Sequence, residues 1–149
     1  MKPPVGITGN IGCGKSTVTK ILANCSPNIC IIDSDALAKK ILYEGSLTSK
    51  VTQILGKNIF CDGVADLKQA ASIIFNDKTK KQQIEKLVLP LLAKEISKQA
   101  EDFDGICVVE SAIIFESGTE KNYSRIVLTT CDRATQRKRL LNKGMTEED

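Results

Sequence analysis

The chain has 149 residues, and its 21 Lys and Arg against 18 Asp and Glu give a formal net charge of +3. This length accommodates one domain. The composition, with 42% hydrophobic and 26% charged residues, is typical of a folded protein and argues against intrinsic disorder. The small charge and an aromatic content of 4% favour neither a nucleic-acid partner nor a stacking surface for single strands. The chain contains no His, which excludes His general bases and mixed Cys/His zinc sites.

The six cysteines are scattered along the chain without a Cys-x-x-Cys pair. This spacing favours small buried side chains in a reducing compartment over a disulfide framework. No apolar run approaches the roughly 18 residues that a membrane span needs, and the first residues lack the apolar core of a signal peptide. We therefore expect a cytoplasmic protein without a membrane partner.

Four short apolar runs predict buried strands at residues 5–8, 28–32, 106–109 and 125–129. Between them lie helical patterns, the first from Ser16 to about Asn24 with Val18, Ile21 and Leu22 on one face. Strands that alternate with helices are typical of an α/β fold with a parallel sheet. The sequence therefore predicts four parallel strands.

The connection between the second and third strands is much longer than the dozen or so residues that a crossover helix requires. Helical patterns cover residues 35–43, 47–55, 66–75 and 78–103. Pro90 interrupts the hydrogen-bond ladder of the last pattern, which predicts a kink or two abutting helices. We predict a single domain, residues 1–149, with a core at 1–44 and 105–149 and a helical insertion at about 45–104 that binds the acceptor substrate.

Residues 9–16 satisfy the pattern G-x-x-x-x-G-K-[ST] of a phosphate-binding loop between a strand and a helix. Glycines let backbone N–H groups curl around a phosphate, and the following helix presents its positive N-terminus. In this motif the Lys reaches the β- and γ-phosphates and the Ser hydroxyl ligates Mg²⁺. The residues predicted to bind ATP are Gly12, Cys13, Gly14, Lys15, Ser16 and Thr17, with Lys15 also catalytic and Ser16 also a metal ligand.

Three carboxylates lie at or directly after the ends of predicted strands, where ligands gather in such sheets. Asp33 is predicted to be the catalytic base that takes the acceptor hydroxyl proton. Asp35 is predicted to hold Mg²⁺ or its water, or else to cap the next helix. Glu110 is predicted to belong to the magnesium site, where it hydrogen-bonds the metal-bound water. Alternatively, it is only the end of a strand.

A short basic helix near the end carries five cations, which are Arg133, Arg137, Lys138, Arg139 and Lys143. A charge run is often a solvated face, but phosphoryl transfer needs cations over the charge that spreads in the transition state. We predict that this helix is a lid and that Arg139 is its catalytic residue, with Lys143 second. The fold expected is a P-loop NTPase-type α/β fold with four strands, an inserted helical subdomain and this basic lid.

In these motifs and their order the chain resembles the dephospho-CoA kinase family over nearly its whole length. The longer matching stretches are residues 5–18, 31–35, 108–116 and 136–140, and the shorter ones are 61–63, 74–75 and 89–91. The resemblance implies ATP-dependent phosphorylation of the ribose 3′-hydroxyl of dephospho-CoA, with Mg²⁺. The alternatives are a P-loop kinase for another small hydroxyl acceptor, such as a nucleoside, nucleotide or sugar, and a non-catalytic ATP-binding paralogue.

The chain departs from the family pattern mainly on the acceptor side. The resemblance leads us to expect a histidine at Leu89, an arginine near Leu67 and Lys68, a proline at Ala112 and an aspartate at Glu110. Cys13 replaces a small Ser or Ala in the phosphate loop. These changes bear on substrate identity more than on nucleotide binding.

The last residues, Thr146-Glu147-Glu148-Asp149, predict the start of a helix, with an N-cap followed by an acidic first turn. The resemblance implies a fifth parallel strand beyond the fourth, with residues that contact adenine. We therefore expect a chain that lacks the C-terminal part of the family, with weak stability and poor preference for ATP over GTP.

Overall fold

The computed structural model describes residues 3–145. In chain order its elements are β1 (Val5–Thr8), α1 (Lys15–Cys25), β2 (Ile29–Asp33), α2 (Ser34–Tyr43), α3 (Thr48–Leu55), β3 (Phe60–Cys61), β4 (Val64–Ala65), α4 (Leu67–Asn76), α5 (Lys78–Asp102), β5 (Ile106–Glu110), β6 (Arg125–Leu128) and α6 (Arg133–Asn142). Two short 3₁₀ helices cover Lys57–Ile59 and Glu120–Asn122. Among these described helices, none is long and apolar enough to span a membrane.

The chain divides into two compact units. One combines the residues up to Ser34 with those from Ile96 onwards, and the other is formed by Asp35–Glu95. The boundaries fall inside α2 and α5, whereas the predicted insertion at 45–104 was bounded by turns. We call these parts the sheet unit and the helical unit.

The sheet unit is built on four parallel strands in the order β2-β5-β1-β6. The strands are apolar on both faces, as is typical of a parallel sheet covered by helices. Ile7, Ile32, Val108 and Val109 are at most 4% exposed, and so is Ile114 beyond β5. β6 lies at one edge of the sheet. The four strands and the parallel α/β fold predicted from the sequence are therefore confirmed.

The helical unit has its own apolar core. Its buried members come from α2, α3 and the residue that caps it, the 3₁₀ helix after α3, α4 and α5: Leu42, Leu47, Val51, Leu55, Ile59, Ala70, Ile84 and Val88. The helices predicted at 35–43, 47–55, 66–75 and 78–103 are all present, shifted by at most one residue at either end. Asp66 caps α4 by accepting hydrogen bonds from the N–H groups of Lys68 and Gln69.

Two features of this part of the chain differ from the prediction. α5 runs as one helix through Pro90, so of the two predicted alternatives the pair of abutting helices is wrong and the kink stays a prediction. The stretch around Cys61-Asp62-Gly63, where no strand was predicted, is an antiparallel hairpin formed by β3 and β4. Asp62 and Gly63 both have positive φ, which is the geometry that a tight two-residue hairpin turn requires. The helix start predicted at Thr146 lies outside the described residues.

Candidate active site

The candidate site lies where three strands of the sheet unit end. β1 runs into the glycine-rich loop, β2 ends at Asp33 and β5 ends at Glu110. The register places Asp33 directly opposite Glu110 on neighbouring strands. Because carboxyl ends of parallel strands share one edge, these groups converge on the phosphate loop.

Two glycines explain why the phosphate loop takes its shape. At Gly9 a Cβ would lie 2.3 Å from the Thr129 carbonyl oxygen, so only glycine lets β1 and the end of β6 approach this closely. Gly14 has φ 91° and ψ 17°, a left-handed conformation directly before α1. Since Gly14 has no side chain to cap the helix, the positive end of α1 is open to an anion.

Lys15, the first residue of α1, folds back over the loop. Its Nζ donates hydrogen bonds to the carbonyl oxygens of Gly9, at 2.7 Å, and Asn10, at 3.3 Å. The ammonium group is therefore held beside the helix N-terminus that faces the loop. This geometry suits a cation that binds the terminal phosphates of a nucleotide.

Glu110 is held by two hydroxyl groups of α1. Ser16 Oγ donates to Glu110 Oε1 at 2.6 Å, and Thr19 Oγ1 donates to Glu110 Oε2 at 2.7 Å. Thr19 is only 3% exposed, so this second hydrogen bond is shielded from water. The carboxylate is thus fixed against the first turn of the helix that follows the phosphate loop.

The oxygen atoms of Ser16 and Glu110 fit Mg²⁺. This cation prefers oxygen ligands and is commonly held by one or two carboxylates together with substrate phosphates, without a cage of protein ligands. Within residues 3–145 no group of three or more Cys, Asp or Glu side chains is placed to hold a metal ion. The hydroxyl of Ser16 and the carboxylate of Glu110 supply two hard ligands in contact with each other.

The two aspartates at and just after the end of β2 have different surroundings. Asp33 is the exposed last residue of the strand. Asp35 belongs to the helical unit, in the first turn of α2, where its Oδ2 lies 3.3 Å from Nζ of Lys39. The structure therefore brings Asp33 to the same sheet edge as Glu110, and the metal role of Asp35 stays a prediction.

Helix α6 contacts the phosphate loop through two side chains. Gln136 Nε2 donates to the Ile11 carbonyl oxygen at 2.8 Å, and Arg139 Nη1 donates to the Gly12 carbonyl oxygen at 3.1 Å. Between loop and helix lies a cleft of about 450 Å³ lined by Ile11, Gly12, Gly14, Lys15, Ser16, Thr17, Arg139, Asn142 and Lys143. Arg139 and Lys143, the two cations singled out from the sequence, thus line the same cleft as the phosphate-loop residues.

A pair of thiols lies beneath this contact. Cys131 Sγ donates to Cys13 Sγ at 3.4 Å and lies 3.9 Å from the Gly12 carbonyl oxygen. The hydrogen bond to Cys13 is the main reason that the pKa of the Cys131 thiol is raised, while the nearby Arg139 acts in the opposite direction. Cys13 is only 8% exposed.

Three of these contacting residues, Thr19, Gln136 and Cys131, were missed in the sequence. Thr19 follows Ser16 by three positions and Gln136 precedes Arg139 by three, so helical spacing places each beside a predicted site residue. That spacing was a usable signal. No signal in the sequence pointed to Cys131, because its contact with Cys13 joins residues 118 positions apart.

Comparison with known proteins decides the family. Residues 4–149 match the CoaE family of dephospho-CoA kinases. The chain belongs to the dephospho-CoA kinase family. A dephospho-CoA kinase of Aquifex aeolicus is 32% identical over 97% of this chain and 75% of its own length. That of Shouchella clausii is 30% identical over 97% and 76%, and that of Arabidopsis thaliana is 33% identical over 97% and 65%.

Solved structures agree with this family at the level of the fold. A crystal structure of a Thermus thermophilus protein superposes with a TM-score of 0.85 at 24% identity, covering 99% of this chain and 76% of that one. The dephospho-CoA kinase of Campylobacter jejuni gives a TM-score of 0.64 at 22% identity, covering 96% of both chains. The P-loop kinase fold predicted from the sequence is therefore confirmed.

Proposed function

We propose that this chain transfers the γ-phosphoryl group of ATP to the ribose 3′-hydroxyl of dephospho-CoA, giving coenzyme A and ADP. The single observation that carries the proposal is the family match across residues 4–149. Each curated relative reported above is named dephospho-CoA kinase. Those names favour this acceptor over another hydroxyl compound, and catalysis over nucleotide binding alone.

The phosphates of ATP are assigned to the loop and the first turn of α1. Gly12, Cys13, Gly14, Lys15, Ser16 and Thr17 surround the phosphate oxygens, which bind to N–H groups of the loop with the positive helix end behind them. The Lys15 ammonium exchanges its carbonyl partners in the loop for the β- and γ-phosphates. Arg139, across the cleft, stabilises the charge that spreads over the transferring phosphoryl group.

Asp33 is assigned as the general base. The ribose 3′-oxygen attacks the γ-phosphorus as the bond to the ADP oxygen breaks, and the hydroxyl proton passes to the Asp33 carboxylate. Support comes from its exposure at the end of β2 and from its position opposite Glu110. An exposed carboxylate at this edge is accessible to an acceptor hydroxyl.

Ser16, Glu110 and Asp35 are assigned to the magnesium site. Mg²⁺, when bound with ATP, neutralises charge on the β- and γ-phosphates. Ser16 offers its hydroxyl oxygen, and Glu110 offers the carboxylate that Ser16 and Thr19 already orient. For Asp35 the assignment rests on its place two residues after Asp33.

We assign binding of the acceptor substrate to the helical insertion. Leu89, where the resemblance leads us to expect a histidine, packs against the core of the helical unit. A leucine offers no hydrogen bond to a polar substrate, so this substitution removes one polar group from the acceptor side. The identity of the acceptor should therefore be tested by comparing turnover with different acceptor substrates.

The test is a measurement of ADP release by the purified chain with ATP and Mg²⁺ and a panel of acceptors. The panel contains dephospho-CoA, adenosine, a nucleoside monophosphate and a simple sugar. We expect ADP release that requires dephospho-CoA and is matched by coenzyme A formation. Faster turnover with another acceptor, or tight ATP binding without any acceptor-dependent ADP, would contradict the proposal.

We propose a cytoplasmic location because the cysteines are not joined in disulfide bonds. All six are free thiols, as is usual for proteins of reducing compartments. Cell fractionation with the chain tagged at either end tests this, and recovery from an oxidising compartment would contradict it.

A further inference from the structure

Two cysteines from distant parts of the chain meet at the phosphate loop. Cys13 lies between Gly12 and Gly14, and Cys131 lies between the end of β6 and the start of α6. Their sulfur atoms are 3.4 Å apart. We propose that Cys13 and Cys131 form a modification site, at which a peroxide converts the two thiols into one intramolecular disulfide that closes the phosphate loop to nucleotides.

Neither cysteine of this pair lies in a helix or a strand. The sulfurs must approach to about 2.05 Å for a bond to form. Gly12 and Gly14 flank Cys13, and Cys131 lies in an irregular segment, so the shift does not require a strand or helix to break. From 3.4 Å, the sulfur atoms therefore need to approach by little more than 1 Å.

Accessibility determines which sulfur reacts first. Cys131 is half-buried, whereas Cys13 is 8% exposed, so peroxide reaches Cys131 more easily. The raised pKa of the Cys131 thiol keeps it mostly protonated near neutral pH, because its hydrogen bond to Cys13 and partial burial oppose ionisation. Oxidation is therefore expected to be slower than at a dedicated thiolate sensor.

A second pair of thiols provides an internal comparison. Cys30 and Cys107 are register partners on β2 and β5. Burial, and then the neighbouring Cys30, raise the pKa of Cys107 to about 11. Both residues are held in the hydrogen-bonded ladder of the sheet, and Cys107 is 5% exposed. We expect this pair to stay reduced under conditions that link Cys13 to Cys131.

The chemistry consists of two balanced steps. The Cys131 thiol attacks hydrogen peroxide, which breaks the O–O bond and gives a sulfenic acid and one water. The Cys13 thiol then attacks the Cys131 sulfur, forming the S–S bond and releasing a second water. Together the two thiols lose two electrons and two protons, and the peroxide is reduced to water. A dithiol reductant reverses the link by exchange.

The disulfide affects the loop that holds the phosphates. Pulling the Cys13 side chain towards Cys131 displaces the part of the phosphate loop between Gly12 and Gly14. We therefore expect the oxidised protein to lose nucleotide affinity, and reduction to restore it. Nucleotide affinity is measured in a binding assay, so the test of this inference depends neither on the acceptor substrate nor on catalysis.

The first measurement identifies the linked residues. The full chain is treated with hydrogen peroxide and digested with trypsin without reductant, and the peptides are analysed by mass spectrometry. Cleavage after Lys15, Arg125 and Arg133 leaves Cys13 in peptide 1–15 and Cys131 in peptide 126–133. We expect these two peptides joined. Absence of the joined pair, a link between Cys30 and Cys107 instead, or only links between chains would overturn the inference.

The second measurement is the affinity for a fluorescent ATP analogue before oxidation, after oxidation and after reduction. Cys131→Ser is expected to bind the analogue normally and to keep that affinity after peroxide treatment. The matched control Cys25→Ser, which removes an exposed thiol elsewhere, is expected to lose affinity on oxidation as the wild type does. Equal loss in Cys131→Ser, or a formed Cys13–Cys131 link without loss of affinity, would overturn the closure of the loop.

Discussion

Ser16 Oγ donates a 2.6 Å hydrogen bond to Oε1 of Glu110, a residue 94 positions further along the chain. This contact joins the first turn of α1 to the carboxyl end of β5, and so joins the loop proposed to bind phosphate to the carboxylate proposed for the metal. Thr19, one turn further along α1, holds the other oxygen of the same carboxylate. Glu110 is thereby oriented before any ligand arrives.

Thr19→Val removes one of these two hydrogen bonds while keeping the shape of the side chain. Because Thr19 is buried and its acceptor is charged, we expect a loss of about 1.5 kcal/mol in the free energy of unfolding. We also expect the Mg²⁺ concentration for half-maximal activity to rise about 10-fold, as when the support of a metal ligand is lost. Thr19→Ser keeps the hydroxyl and is expected to keep the Mg²⁺ requirement of the wild type. An unchanged Mg²⁺ requirement in Thr19→Val would show that the contact is structural only.

Lys15→Ala removes the cation that the loop carbonyl oxygens hold beside the helix N-terminus. We expect kcat/KM for ATP to fall about 10²-fold or more, since a preorganised charge on the phosphates is lost. The melting temperature is expected to stay close to that of the wild type, because both lost hydrogen bonds are made by a surface loop. Lys20→Ala, on the same helix and exposed, is the matched control. Normal turnover in Lys15→Ala would contradict the assignment of the phosphate loop.

Asp33→Asn keeps the shape of the proposed general base but removes its ability to take a proton. We expect kcat to fall about 10²-fold or more with ATP affinity nearly unchanged. Asp104→Asn, at the opposite end of the sheet before β5, is the matched control and is expected to be fully active. If ATP affinity collapses and turnover per bound ATP does not change, Asp33 binds the nucleotide or its metal and is not the base.

Arg139→Ala removes the α6 side chain that donates to the Gly12 carbonyl oxygen. We expect kcat to fall about 10²-fold, because the charge facing the transferred phosphoryl group is lost. Lys138→Ala removes the same charge from the neighbouring position, which does not line the cleft, and is expected to have little effect. Equal losses in the two variants would indicate that α6 contributes only a diffuse positive field.

Asp132 links the stability of α6 to pH. Its side chain accepts hydrogen bonds from the hydroxyl and backbone N–H of Thr135, and these hold the pKa of the carboxyl below its ordinary value of 3.8. Because this pKa is depressed in the folded state, its stabilising effect is complete above the unfolded value and is lost as the pH falls through the folded value. The difference in melting temperature between wild type and Asp132→Asn is therefore expected to shrink as the pH is lowered from 6 to below 3. A difference that is constant over this range would contradict the assignment.

The sequence was most informative where short-range pattern determines structure. The apolar runs that end at Asp33 and Glu110 could be identified because a parallel strand is buried on both faces and is followed at once by polar residues. The phosphate loop was identified because its glycines and Lys15 occur at spacings that its chemistry requires. The helices of the helical unit followed from their apolar periodicity, since one face of each is buried.

What the sequence did not reveal depends on tertiary contacts. The strands β3 and β4 have two residues each, too few to show any alternation. Pro90 does not end α5, because buried residues on both sides of it, Val88 and Ile96, fix the helix against its neighbours and outweigh the lost hydrogen bond. The meeting of Cys131 with Cys13 follows from the fold alone.

The central claim, phosphorylation of the ribose 3′-hydroxyl, is tested most directly by the product. The chain is incubated with dephospho-CoA, Mg²⁺ and ATP labelled in the γ-phosphate, and the position of the label is determined by phosphorus NMR and by digestion with a 3′-nucleotidase. The account predicts one labelled 3′-phosphate on coenzyme A for each ADP formed, and labelling slowed about 10²-fold or more in Lys15→Ala. Label at any other position, or release of labelled inorganic phosphate that does not depend on dephospho-CoA, would contradict it.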